Sequence, residues 1–198
     1  ALTRGFIPAT MATLKGEWPR PRFSSYHEFL GKTIGIVGFG SIGRVVAKKA
    51  HAFGLQCLAY DPMLSGSSVE FDGLSVPLLS LGDLLAKSDA VTLHLPFLPE
   101  TKNLFNAATL DQMKKGACLI NTARGGIVDE NALAERLKSG FIGGAAIDVF
   151  SAEPAKDLKH FAGIENLILT PHIAGVTHES NERVSQMIAD EVNRFLGA

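Results

Sequence analysis

The 198-residue chain is predicted to fold as α/β, on a doubly wound parallel sheet. Short, near-continuous apolar runs alternate with segments whose apolar residues recur at helical spacing, as expected of strands buried on both faces between covering helices. Glycine, 20 residues in all, stands mostly where such a run stops, which punctuates the alternation. A composition that is 46% hydrophobic and 20% charged is that of a globular domain, and at roughly 100 to 200 residues per domain the length predicts one.

Taken in order, residues 1–30 are expected to form an arm. Leu2, Phe6, Ile7 and Leu14 suggest a helix in it, followed by Trp18 and Pro19-Arg20-Pro21. The run Thr33 to Val37 reads as the first strand, and Ile42, Val45, Val46, Ala50 and Phe53 follow at helical spacing until Gly54 stops the helix. A second strand, Leu55 to Tyr60, ends at Asp61-Pro62, which completes a βαβ unit of about 30 residues. Ser80, with Asp83 three residues on, resembles a capping box before a helix at Leu84-Leu85. Ala90 to Leu95 is the next strand. Beyond it, Leu110 to Lys115 and Asn131 to Lys138 read as helices, and Ala117 to Ile120, Ile142 to Val149 and Asn166 to Leu169 as strands. The last helix carries Val184, Met187, Ile188, Val192, Phe195 and Leu196 along one face.

Nineteen basic against 20 acidic residues leave a charge of −1, so the totals announce no polyanion-binding surface, and nucleic acid is not expected as a partner. No apolar stretch approaches the ~20 residues that cross a bilayer, so no membrane partner is expected either. Cys57 and Cys118 stand singly in apolar runs without ligand spacing and read as buried free thiols. With no signal-peptide pattern in view, a cytoplasmic location is expected. The chain opens at Ala1 inside an expected helix, so it is read as part of something longer.

The turn after the first strand reads Gly38-Phe39-Gly40-Ser41-Ile42-Gly43. In such a turn the first glycine permits a tight bend, the second lets backbone approach a pyrophosphate, and the third lets helix and strand pack closely, with the helix N-terminus facing the anion. The turn follows an expected strand, opens an expected helix, and is followed by Asp61 18 positions beyond Gly43, the three contexts that separate a dinucleotide fingerprint from a packing turn. Asp61 is placed to accept from ribose hydroxyls and to repel a 2′-phosphate, which favours NAD over NADP; the competing reading is a simple turn cap before Pro62. In a parallel sheet the strand ends share one edge. Pro96, Asn121 to Arg124, Asp148 and Thr170-Pro171-His172 all follow expected strands and should gather with Gly38 and Asp61 there.

Asn121-Thr122-Ala123-Arg124-Gly125-Gly126-Ile127-Val128-Asp129, Ala146-Ile147-Asp148-Val149-Phe150-Ser151-Ala152-Glu153-Pro154 and Thr170-Pro171-His172-Ile173-Ala174-Gly175 resemble the three signature segments of the D-isomer-specific 2-hydroxyacid dehydrogenases, which include phosphoglycerate dehydrogenase and hydroxypyruvate reductase. With the glycine fingerprint, the resemblance runs through nearly the whole chain in order. It implies a Rossmann-type, NAD-dependent oxidoreductase domain in which Arg124 binds the substrate carboxylate, His172 is the acid/base, Glu153 orients and polarises His172, and Asp148 lies by the nicotinamide. The cofactor contacts it implies are Gly38, Gly40, Ser41, Ile42, Gly43, Asp61, Pro96, Thr122, Ala123, Arg124, Asp148, His172 and Gly175. A homodimer is implied too. The family's separate substrate domain, built largely from ~100 N-terminal residues, has no room ahead of a fingerprint that starts at position 38.

The residue chemistry agrees. A guanidinium can grip a carboxylate through two parallel bonds, and an imidazole can take and return a hydroxyl proton near neutrality. A surface ion pair for Arg124 and a loop carboxylate for Glu153 are the plainer alternatives. His27, His51, His160 and His178 read as solvated or capping residues, and His94 as a satisfied core or edge histidine. The expected reaction moves hydride between C2 of a D-2-hydroxyacid and nicotinamide, with 3-phosphoglycerate or glycerate/hydroxypyruvate as leading substrates. The alternative is a dinucleotide-sensing, corepressor-like interaction protein.

Overall fold

Six parallel strands form the sheet of the computed structural model, which describes residues 1–197. They are β1 (Thr33–Val37), β2 (Gln56–Tyr60), β5 (Ala90–Leu93), β6 (Cys118–Asn121), β7 (Gly144–Ile147) and β8 (Leu167–Leu169), in the spatial order β2-β1-β5-β6-β7-β8. Ile34 pairs with Cys57 of β2 on one side and Ala90 of β5 on the other, so the winding reverses between β1 and β5. The crevice in which open α/β sheets bind ligands lies outside the strand ends at such a reversal.

Alternate residues of β1 serve opposite faces. Gly35 lies against Leu84 and Ser88, in and just after α4 (Leu81–Lys87), while Ile36 clusters with Ala47 of α3 (Ser41–Ala52). The larger core continues through β5, β6 and β7 to α6 (Glu130–Lys138), whose Ala132, Leu133, Ala134 and Leu137 are buried. Ser80 caps α4 by accepting from the Asp83 N–H at 3.2 Å, and its hydroxyl donates to the Asp83 carboxylate, so the expected cap forms as a variant of the box.

Several expectations are corrected. Gly43, Ala47 and Ala50 form the buried face of α3, whereas Ile42, Val45 and Phe53 are exposed. Close approach to the sheet excludes large side chains there, since a Cβ on Gly43 would meet the Gly38 carbonyl at 2.2 Å. The helix expected from Leu110 to Lys115 is α5 (Ala107–Leu110), capped by the Asn106 side chain, and residues 111–116 turn into β6. Between β2 and α4 stands an unanticipated antiparallel hairpin, β3 (Ser68–Phe71) and β4 (Leu74–Pro77), whose Phe71 meets Phe39 edge-on at 5.5 Å between ring centres. The N-terminal segment has α1 (Phe6–Leu14) and α2 (Arg20–Ser24), and its Leu2 packs with Ala90 and Cys118 on the sheet. Finally, α7 (His178–Leu196) forms as expected but buries none of its residues, and its apolar row covers nothing among the described residues.

Cys118 is buried and Cys57 partly so; both are free, and burial pushes the Cys118 thiol up to about 11. Among the described residues no helix is long and apolar enough to cross a membrane, and no cluster of metal-ligating side chains occurs.

Candidate active site

Two sets of loops meet at the C-terminal edge of the sheet. The first is the glycine turn between β1 and α3. Gly38 adopts φ 92°, and a Cβ there would meet the His94 carbonyl at 2.4 Å. Gly40 differs: a Cβ would meet nothing within 4 Å, so open space lies beside this backbone. Gly40 is also the N-cap of α3 and offers no side-chain acceptor, which leaves the first N–H groups of the helix, from Ser41, Ile42 and Gly43, facing that space. This bare cradle with an uncapped helix start fits a pyrophosphate.

Asp61 stands at the end of β2 and accepts from two backbone groups, Phe39 N–H at 2.8 Å and Met63 N–H at 2.9 Å. The two sequence readings of Asp61 are therefore compatible, because a carboxylate that caps the turn and holds the glycine loop still has lone pairs for ribose hydroxyls. The buried Phe39 ring anchors the loop, and the Arg44 guanidinium lies 5.5 Å from its centre. His94 falls just beyond β5; its Nε2 is 3.0 Å from Thr92 Oγ1, and burial lowers its pKa, which makes it a satisfied, neutral histidine.

The second set follows β6, β7 and β8. Asn121, buried at the end of β6, accepts the Ala123 N–H at 3.1 Å and donates Nδ2–H to the Arg124 carbonyl at 3.0 Å, folding Thr122 and Ala123 into a tight turn. Arg124 emerges exposed, donates to the Ala123 carbonyl, and makes no salt bridge among the described residues. His172 takes φ 56°, an uncommon backbone state for a residue with a side chain. Its N–H donates to the Asp148 carbonyl at 2.8 Å. Its ring Nδ1 is 2.7 Å from Glu153 Oε2, and a carboxylate partner places the hydrogen on Nδ1 and leaves Nε2 to face outward. Glu153 Oε1 accepts the Phe150 N–H at 2.9 Å. The bond to His172 and then that from Phe150 hold the Glu153 carboxyl below the usual carboxylate range.

Asp148 is 2% exposed, and its carboxylate accepts from Thr170 Oγ1, Ile173 N–H and Ala174 N–H at 2.5 to 2.9 Å. Burial alone would raise its pKa, but the hydroxyl and the two N–H donors outweigh it and the group stays ionised. Asp148 thus latches the segment that carries His172. A cavity of about 580 Å³ opens beside the pair, lined by Phe150, Pro154, Leu158 and Leu169 as well as Glu153 and His172.

Of the predicted residues, His172, Glu153 and Asp148 meet directly. Arg124 touches none of them; its loop joins theirs through backbone, at Gly125 against Phe150. Pro96 is exposed on the loop after β5, and Gly175 accepts from the Ser180 hydroxyl at 2.9 Å. Sequence reasoning placed Asn121 and Thr170 at strand ends and, with Ser151, in the signature segments, but gave none of the three a role, and it overlooked Glu130. No periodicity marks such residues: Asn121 bonds within its own turn, and Thr170, Glu130 and Ser151 act through partners distant in sequence.

Residues 1–174 match the family described as D-isomer specific 2-hydroxyacid dehydrogenase, NAD binding domain. The chain is 47% identical over 196 residues to (S)-sulfolactate dehydrogenase of Chromohalobacter salexigens, covering 99% of this chain and 63% of that protein. It is 39% identical over 203 residues to glycerate dehydrogenase of Methylorubrum extorquens, covering 99% of this chain and 62% of that protein. Among solved structures, D-lactate dehydrogenase from Aquifex aeolicus complexed with NAD and lactic acid superposes with a TM-score of 0.85 at 31% identity, over 99% of this chain and 62% of that one. The chain thus spans about three fifths of the length of these relatives, and it belongs to the D-isomer specific 2-hydroxyacid dehydrogenase family, through its NAD binding domain.

Proposed function

We propose, with membership in this family as the premise, that the protein moves hydride between C2 of a D-2-hydroxyacid and NAD. The observation that carries the reading is the His172–Glu153 pair at 2.7 Å, on the same sheet edge as the open glycine cradle. The peptide N–H groups at the head of α3 and the Asp61 carboxylate would hold the cofactor's pyrophosphate and ribose, with Pro96, Thr122, Ala123 and Gly175 around it. When bound, NAD supplies the hydride acceptor. Arg124, free of any acidic partner among the described residues, would grip the substrate carboxylate and set which face of C2 is presented.

His172 Nε2 would take the hydroxyl proton in oxidation and return it in reduction, and Glu153 would fix the tautomer and favour the imidazolium. Asp148 would keep His172 in place. The corepressor-like alternative draws no support from relatives that carry dehydrogenase names.

For the substrate class, glycerate and sulfolactate, named in two relatives, and phosphoglycerate are all lactates with a polar group on C3; we favour that class. A homodimer is proposed on the exposed apolar residues of the N-terminal segment, Phe6, Met11, Leu14 and Trp18. A cytoplasmic setting is proposed on the two free cysteines. The test is NADH oxidation by the complete polypeptide with hydroxypyruvate, 3-phosphohydroxypyruvate, 3-sulfopyruvate and pyruvate. Turnover fastest with one of the first three is expected; pyruvate fastest overturns the substrate class, and no turnover with any overturns the dehydrogenase reading.

A further inference from the structure

We infer that Glu130 is a positioning residue that sets the spacing between Arg124 and the His172–Glu153 pair; the inference rests on the acid/base reading above. Glu130 is the first residue of α6, immediately after the Asp129 N-cap, and its side chain is only 16% exposed. A carboxylate in the first turn of a helix is favoured by the helix dipole wherever it points, so its position alone gives it no task. Its partners do. Oε1 accepts both hydrogens that Ser151 offers, from the N–H at 2.7 Å and from Oγ at 2.6 Å, and Oε2 lies 3.5 Å from the buried Nε2 of His160, which has no hydrogen-bond partner among the described residues.

Ser151 stands two residues before Glu153. The residue between Ser151's clasp and Arg124's turn is also fixed: a Cβ on Gly125 would lie 1.8 Å from the Phe150 carbonyl oxygen, so the two loops run backbone to backbone. Segment 121–130 therefore carries the guanidinium near one end and the clasp at the other. Segment 150–153 carries the clasped serine and the carboxylate that orients His172. Gly125 on Phe150 and Glu130 on Ser151 join the two segments at their surface, above the buried Phe150. Without Glu130 the Ser151 N–H and hydroxyl lose their acceptor, while the Gly125 contact and the buried Phe150 remain. The bond from Phe150 N–H to Glu153 belongs to this loop, so a shift there carries Glu153 with it.

A misplacement of about 1 Å at a reacting centre can cost about 10²-fold in rate. In the complete polypeptide, with hydroxypyruvate and NADH, Glu130→Ala should lower kcat by about that factor while the NAD dissociation constant stays within about twofold. Glu130→Gln keeps an oxygen that can accept both Ser151 hydrogens and should restore kcat to within about threefold of the parent. Independently of turnover, amide exchange at Ser151, whose N–H is bonded to Glu130, should quicken at least tenfold in Glu130→Ala and stay near parental in Glu130→Gln, with the strands unaffected.

His172→Gln, assayed beside them, separates the two ideas. If it abolishes turnover while Glu130→Ala keeps parental kcat and exchange, the positioning role is overturned. Glutamine failing as badly as alanine also overturns it, since acceptor geometry is then not what Glu130 supplies. If His172→Gln leaves turnover intact, the acid/base reading falls, and the exchange measurement decides by itself whether Glu130 holds the loop.

Discussion

The two halves of the sheet edge are held in different ways. Around β1, α3 and β2 the loop is shaped by backbone packing: Gly38 lies against the His94 carbonyl and Gly43 against the Gly38 carbonyl, and one carboxylate, Asp61, ties the rest. Around β6, β7 and β8 the loops are shaped by side chains: Asn121 folds its own turn, and Asp148, Glu153 and Thr170 bond across to a neighbouring loop. A backbone cradle suits a ligand whose anion is bound by peptide N–H groups. A lattice of carboxylates suits a centre where a proton must move at one nitrogen.

The largest effect that sharpens this contrast is at His172. Substitution His172→Ala should lower turnover by about 10²- to 10⁴-fold, the range for a lost general acid/base, with little change in NAD affinity measured by calorimetry. A parallel loss of NAD binding would show that the halves are not separable.

The glycine half yields a paired experiment. Gly43→Ala should cost about 1 to 3 kcal/mol of stability, because its Cβ meets backbone that cannot rotate away. Gly40→Ala has open space and should leave the melting temperature near parental, yet weaken NAD at least tenfold, about 1.4 kcal/mol. Equal melting temperatures for the two variants would mean that the Gly43 contact relaxes freely.

At Asp61 the expected effect matches that of Gly40→Ala on the cofactor. NAD should bind at least tenfold tighter than NADP, again about 1.4 kcal/mol. Asp61→Ser should narrow that gap and also weaken NAD itself, because the Phe39 N–H loses its carboxylate partner. Calorimetry that finds equal affinities in the parent would remove Asp61 from the ribose site.

The smallest effect is the pH response of the side-chain half. The folded state depresses the pKa values of Glu153 and Asp148, so their contribution is complete above the ordinary carboxylate value of about 4 and is lost as pH falls through the folded values below it. Urea unfolding between pH 6 and 3 should show this loss, and Asp148→Asn should flatten it. A variant that loses stability in acid as steeply as the parent would show that the Asp148 latch is not what titrates.

How much was legible in the sequence follows the same division. Gly38 to Gly43, with a strand before and Asp61 after, was readable because its geometry is local and its spacing fixed. The strands were readable as apolar runs, Thr33 to Val37 to the residue. The hairpin Ser68–Pro77 escaped because two strands of four residues carry little periodic signal. The face of α3 was misread because large apolar residues look like core, whereas close helix-to-sheet packing selected Gly43, Ala47 and Ala50. Arg124 and His172 were readable as strand-end residues but took their roles only through resemblance, and Glu153 was legible through resemblance alone: it is 19 positions from His172, and nothing in pattern or spacing joins them. Glu130 and Ser151, 21 positions apart, could not be paired even so.

The strand order has a consequence for how the chain folds. β1 joins β2 within one local βαβ unit, and β5 to β8 also add one neighbour at a time, but the junction of the two groups pairs Ile34 with Ala90. That junction closes a loop of more than fifty residues, so its entropy must be met before its contacts give anything back. The nucleus can form on either side first; the β1–β5 seam is the slow, non-local step. The glycine cradle lies on one bank of that seam and the His172–Glu153 pair on the other. The two halves of the candidate site therefore come together only when that seam closes, and a chain in which it is open holds half a site.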